Sequence, residues 1–359
     1  MQTGNKGEWS EIYVLYKLLV DKRIYGADQN LEPIKTILFP ILQIIREETG
    51  VGATNYQIGE NNEIIIKKPT GQSYVVNDTE LKTKISTIFE SIKNGTQTFT
   101  IPAAENFFEQ LGIHSLNAGN SKKEDLVLKI HDFNIGSDNE AGFSIKSKLG
   151  SPATLLNASS ATNFTYKITN LPQEFVETIN TIETKAKIRD RLTAIKNAGG
   201  IIAYEKIDSP IFEENLQMID TIMPQIIAEV LLAYYSDEGS TFKDLIEYFK
   251  SSEVKILNKT IPIERLTYKI KDLLNSSALG MVPATAWDGN IRAHGGVIIV
   301  REDGEIVCYH LYNAEAFRNY LFNNTRLESP SATRHGYGSI YQENDELHIK
   351  LNLQIRFIK

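Results

Sequence analysis

Cysteine is all but missing from this 359-residue chain, where Cys308 stands alone. A lone thiol forms no internal disulfide and builds no cysteine-based zinc site, so a bound metal would be held by oxygen ligands or histidine. Long apolar runs are missing too: no stretch approaches the roughly 20 residues that a membrane helix needs. The opening residues MQTGNKGEWSEIYVLYKLL lack the basic start, continuous apolar run and small-residue cleavage site of a secretory signal, so a cytoplasmic protein with no membrane partner is expected. Positive charge is in deficit. A formal net charge of −7 counts against coating nucleic acid through bulk potential but leaves room for local basic surfaces. The acid excess lies ahead of Lys255, whereas the remainder is mildly basic and holds His294, His310, His335 and His348, which points to that end as the place for a polyanion. Internal repeats and low-complexity tracts are absent.

What is present is a 42% hydrophobic composition, enough to bury the core of one large domain or of two to three lobes. Trp9, Ile12, Tyr16 and Leu19, with Leu15 and Leu18 beside them, recur with the period of a helix that has one broad buried face. IKTILFPILQII, residues 34–45, is apolar in either period, and Pro40 argues against an uninterrupted helix. NEIIIKKPTGQSYVV reads as a hairpin turning at Pro69-Thr70-Gly71, and EDLVLKIHDFNIGSDNEAGFSIKSKLG as a second hairpin. Between them, helices are expected from Thr79 to Lys93 and in PAAENFFEQLG, stopped by Gly112. Further helices are expected from Pro172 to Ala198, Phe212 to Tyr235 and Thr241 to Lys250. GGVIIVREDGEIVCYHLY is a hairpin by pattern, and ELHIKLNLQIRFIK a single alternating strand. This outline is a mixed α/β first part (1–171), a helical middle (172–254) and a β-rich end (255–359).

The second hairpin carries the chemistry. Alternation puts Leu126, Leu128 and Ile130 on one face and Asp125, Val127, Lys129 and His131 on the other; on the return strand Phe143 and Ile145 oppose Ser144 and Lys146. Antiparallel pairing then brings Asp125 close to Ser144 and Lys146. A carboxylate beside a lysine suits metal-dependent phosphodiester hydrolysis: a hard divalent cation on carboxylate oxygens polarises the phosphate, and a lysine orients water or stabilises developing charge. Serine cannot replace a charged ligand, so a second acid must come from elsewhere. Glu8 and Glu11, at the edge of the first helix's buried face, are the candidates. Blander readings accommodate the same residues. A solvated sheet face tolerates the hairpin pattern, and acids in a first helical turn favour the helix dipole. Asp132, nearer the turn, rivals Asp125 as the acid, but alternation puts it on the apolar face, where capping the turn suits it.

Three blocks, GNKGEWSEIYVLYKLL, GFSIKSKLGSPATLLNASSATNF and RHGYGSIYQENDELHIKLNLQIRFIK, resemble the HpaII family of type II restriction endonucleases, and the likeness runs almost from end to end. That resemblance implies a PD-(D/E)xK-type nuclease core, a mixed central sheet flanked by helices, with magnesium dependence and cleavage of double-stranded DNA at a short palindrome, CCGG in the namesake. It places the superfamily's signature on Asp125, on Ser144-Ile145-Lys146, and on Glu8 or Glu11 as the helix glutamate. Ser144 departs from the pattern, because an acid is usual there. A restriction enzyme also implies a cognate DNA methyltransferase as functional partner, and a palindrome favours a two-fold homodimer.

Two regions suit DNA contacts. The loop after the signature strand offers Lys148, Asn157, Ser159, Thr162 and Asn163, and NTRLESPSATRHGYGS offers Arg326, Arg334 and His335. Arginine is the natural reader of guanine N7 and O6, with Arg334 the first choice, Arg326 the second and Arg292 a third. Two other classes compete with a restriction endonuclease: a structure-specific repair nuclease on the same core, and a non-catalytic DNA-binding module that has lost an acid at Ser144.

Overall fold

The computed structural model describes the chain except residues 118–123, 134–135, 253–254, 257–258, 292, 311–313 and 359. Its first stretch forms strands β1 (Arg23–Ala27), β2 (Pro33–Glu48), β3 (Gly52–Ile58), β4 (Glu63–Lys67), β5 (Ser73–Asn77), β6 (Leu126–Asp132) and β7 (Ser137–Ser147). The middle adds β8 (Thr154–Leu156), β9 (Asn163–Thr169), β10 (Ile201–Ile207) and the short pair β11 (Lys255–Ile256) and β12 (Lys259–Thr260). Last come β13 (Gly296–Val300), β14 (Ile306–His310), β15 (Thr325–Leu327), β16 (Ile340–Glu343), β17 (Glu346–Asn352) and β18 (Ile355–Phe357). The chain divides into two compact units, one of Met1–Ala153 with Ile291–Tyr320, the other of Thr154–Asn290 with Leu321–Ile358. Three consecutive parts therefore do not describe it. β13 pairs in parallel with β7, so a hairpin from the expected third part completes the sheet of the first.

In the first unit a nine-stranded mixed sheet runs β1-β14-β13-β7-β6-β2-β3-β4-β5, and β1 also pairs with β2. The ambiguous segment around Pro40 is strand. Residues up to Pro40 pair with β1, and from Ile41 on the partners are β6 and β3, so the residue lacking an N–H sits where the strand changes partners. Helix α1 (Lys6–Asp21) packs on β7 and on helix α2 (Thr79–Asn94). Its start is set locally: Asn5 Oδ1 accepts the N–H groups of Gly7 (2.8 Å) and Glu8 (3.1 Å), and Glu8 Oε2 accepts that of Asn5 (2.7 Å). Lys22, left-handed at φ 56°, ends it by donating to Leu18 O. Burial on α1 is broader than one face. Trp9, Tyr13 and Tyr16 each reach a carbonyl on a different neighbour, those of Phe99, Gly304 and Ala104, because the helix is covered on several sides.

The second unit holds a four-stranded sheet, β10-β9-β17-β16, and a three-stranded one, β15-β18-β8. Two expected long helices are each broken. In place of Pro172–Ala198 there are Phe175–Asn180 and Lys187–Asn197, because Arg191 Nη2 takes the carbonyls of Asn180 (2.7 Å) and Ile182 (3.1 Å) that a continuing helix would use. In place of Phe212–Tyr235 there are Pro210–Ile219 and Met223–Tyr235, bent by 105°. Pro224 has no N–H to carry the helix through, and the Asp220 side chain accepts from Ile222 N to close the turn. The C-terminal strand is also two, β17 and β18, lying in different sheets. Among the described residues no single helix is long and apolar enough to cross a membrane.

Candidate active site

β6 and β7 pair antiparallel with Leu126 opposite Phe143, and Asp125 N–H extends the ladder to Phe143 O at 2.8 Å. Asp125 therefore stands beside Ser144. Its Oδ2 accepts the Ile145 N–H at 2.6 Å and the Ser144 hydroxyl at 3.4 Å. Ser144 is 3% exposed, so a carboxylate at that position would set a buried negative charge against the half-buried Asp125, whereas the hydroxyl donates to it. β7 lies between β6 and β13, which holds this end of the strand on both edges.

The helix is tied to the same strand. Ser10 Oγ donates to Lys6 O at 2.7 Å and meets Ser147 Oγ at 2.8 Å. Between α1 and the end of β7 opens a cleft of about 1080 Å³, lined by Glu8, Glu11, Lys146, Lys148, Lys6 and Glu302 among others. Asp125 and Ser144 are not among its lining residues; they meet Lys146 through the strand. The two candidate glutamates part company here. Glu8 is bound by the Asn5 N–H and, through Oε1, by the Asn117 amide at 3.2 Å, whereas Glu11 lies one helical turn further along the cleft. Arg46 of β2, 2% exposed, was not foreseen from sequence, where it reads as the charged end of an apolar run. It donates to Glu48 and to the carbonyls of Ser115 (2.8 Å) and Leu116 (3.0 Å). Burial pushes its pKa below the ordinary arginine value, and the charges of Glu11 and Asp125 are among those opposing the shift. The helix acid and the hairpin acid thus act on one buried guanidinium.

A family model, HpaII restriction endonuclease, matches residues 5–357. The chain belongs to the HpaII restriction endonuclease family. Type II restriction enzyme HpaII of Haemophilus parainfluenzae is 40% identical over 358 residues, covering 99% of each chain. No solved structure matches. Membership makes the chain a type II restriction enzyme, a hydrolase acting on DNA.

In this HpaII-family chain the remaining candidates scatter. Asp132 is fully buried on the apolar face beside His310, and its carbonyl accepts the Gly136 N–H at 2.8 Å, so it closes the turn instead of facing the cleft. Lys148 lines the cleft, and Asn157 is exposed. Ser159 and Asn163 make hydrogen bonds within the fold, and Asn163 is buried, which corrects its expected place at the DNA surface. Ser159 Oγ caps a short 3₁₀ turn by accepting from Ala161 N, and its carbonyl accepts from Asn352 Nδ2. Asn163, 3% exposed, donates to His335 O (2.9 Å) and accepts from Asn352 Nδ2 (2.6 Å). Asn163→Ala is expected to cost about 1–3 kcal/mol of stability by leaving both partners unsatisfied. Urea unfolding measures this, and an unchanged midpoint would refute the structural role. Arg334 is exposed on the short helix Ala332–His335, His335 is half-buried, Arg326 is on β15, and Arg292 lies outside the described residues.

Among the described residues, donor atoms of Glu205, Glu346 and His348 lie within 4.8 Å of one another. His348 Nε2 is 3.1 Å from Glu205, and Lys167 bonds Glu346. The lysine already supplies a cation, which makes this an ion-pair network on the four-stranded sheet. Sequence gave no sign of it, because Glu205 arrives on β10 and the other two on β17.

Proposed function

We propose that this chain cuts both strands of duplex DNA at a short palindrome, CCGG as in the family's namesake, through a PD-(D/E)xK-type site built on Asp125, Ser144, Lys146 and Glu11. The observation that carries the reading is the hairpin end where Asp125 holds Ile145 and Ser144 while Lys146 enters the cleft that Glu11 lines. The donor set fits magnesium, since it offers carboxylate oxygens and a hydroxyl and no sulfur. Asp125 and Glu11 would hold the ion, two carboxylates matching the charge of one divalent cation. When bound, Mg²⁺ supplies charge stabilisation to the scissile phosphate and lowers the pKa of bound water. Lys146 orients the attacking water and stabilises negative charge growing on the phosphate oxygens as the P–O bond opposite the water breaks. Ser144 keeps Asp125 in place through its hydroxyl. Lys148, with Lys6 in the same cleft, takes backbone phosphates, and Arg334, His335 and Asn157 are further candidates for DNA contacts. Two copies on a two-fold palindrome, and a methyltransferase that protects host sites, complete the arrangement.

Digestion of a sequenced plasmid with Mg²⁺ is expected to give discrete bands whose ends map by run-off sequencing to CCGG, with no cutting in EDTA. Discrete ends mapping to a different short palindrome would overturn the CCGG assignment.

A further inference from the structure

β15 and β18 pair antiparallel with Arg326 directly opposite Arg356. Two like charges facing each other across a ladder repel, unless something on the same face compensates. Here Glu328 does. Two residues beyond Arg326, on the same face by alternation, its Oε2 accepts from Arg326 Nη2 and its Oε1 from Arg356 Nη1, each at 2.9 Å. Arg356 Nε is fixed further by Thr154 Oγ1 at 3.1 Å. Thr325, Leu327, Ile355 and Phe357 point to the core, which leaves both guanidiniums on the open face. Side-chain exposure is 39% for Arg326, 30% for Arg356 and 29% for Glu328, so the three are anchored yet accessible. The forks also keep donors to spare. An arginine carries five; among the described residues Arg326 gives one Nη2 bond to Glu328, and the rest of its Nη edge is left for a base.

We propose that Arg326, Glu328 and Arg356 act as one base-reading unit, in which each arginine takes the O6/N7 edge of one guanine in a CCGG half-site and Glu328 sets their spacing. This rests on the CCGG site proposed above. The count agrees: a CCGG half-site has two G·C pairs and hence two guanines, and the pair supplies two forks. So does the spacing, since opposed residues on antiparallel strands lie about 4.5–5.5 Å apart at Cα, within side-chain reach of bases stacked roughly 3.4 Å apart. The β15–β18 pair is the ribbon offered to the major groove, with β8 on the other edge of β18; there each guanine offers two acceptors to a bidentate fork, and the carboxylate's remaining lone pairs suit the cytosine N4 amino group. Arg356 enters as a reader that loop composition did not reveal. Arg334, exposed on a four-residue helix and with no ion pair among the described residues, is freed for a phosphate.

The test is Mg²⁺-dependent cleavage by the full chain of duplexes carrying 7-deazaguanine at one CCGG guanine at a time. Removing N7 is expected to lower kcat/KM of the unmodified protein about 10-fold to 100-fold at each guanine. In Arg356→Lys the penalty is expected to vanish at one guanine and persist at the other, with Arg326→Lys giving the converse. Both variants keep a cation for Glu328 while losing the fork, so a role confined to the ion pair would leave both penalties unchanged and overturn the proposal. Absence of any 7-deaza penalty in the unmodified protein overturns it without recourse to variants. If the unmodified protein does not cut the ordinary CCGG duplex, the CCGG site proposed above falls; if it cuts but the penalties stay uncoupled, only the assignment of Arg326 and Arg356 as readers does.

Discussion

Lys146→Ala is expected to reduce DNA cleavage by at least about a thousandfold while leaving affinity for duplex DNA within a few-fold. The ammonium reaches the cleft from β7 two residues beyond Ser144, and among the described residues it makes no ion pair that would divert it from a phosphate. Losing one preorganised charge aimed at a transition state costs about 10²–10³ in rate, and losing an aligned proton-transfer partner about 10²–10⁴. Folding should not suffer. The side chain is only half-buried, and β7 is held by its backbone ladders to β6 and β13. Single-turnover cleavage beside a gel-shift titration separates the two effects, and a variant that keeps a tenth of the rate would remove Lys146 from the mechanism. Arginine should not restore activity, because its planar fork and higher pKa do not reproduce a compact ammonium.

The second large effect divides the two glutamates of α1. Glu11→Gln is expected to lower cleavage by about a hundredfold or more and to raise the Mg²⁺ concentration needed, since a neutral amide is a poor ligand for a hard cation and only Asp125 would then carry the site's negative charge. Glu8→Ala is expected to keep cleavage within a few-fold and to lower stability by about 1 kcal/mol, the usual worth of a cap. Glu8 already spends its oxygens on Asn5 and Asn117. Cleavage rates over a magnesium series, with urea midpoints for both variants, decide the matter. The opposite assignment, activity lost with Glu8 and kept with Glu11, would move the metal to the start of the helix.

Local geometry was legible from the residues. The apolar recurrence along α1 and the period-two sorting of Asp125 against Ser144 act over a few residues or across one tight hairpin, where chain connectivity leaves few alternatives. Asp132 falls on the buried face by that same alternation. Breaks were harder to see. Arg191 draws carbonyls out of one expected helix, and ELHIKLNLQIRFIK keeps its alternation while switching sheets, because alternation reports which face is buried and not which partner strand is adjacent.

By itself the sequence determined the family, the hairpin with its missing acid, and the opening helix, since each is written in contiguous residues. Tertiary structure alone decided which residues meet from afar. It set Arg46 within the field of Glu11 and Asp125, buried Asn163 against Asn352, and laid Arg356 across from Arg326. The reason is physical: sheet pairing joins positions tens to hundreds of residues apart, and the charge and hydrogen-bond partners of each side chain are fixed only when those strands close.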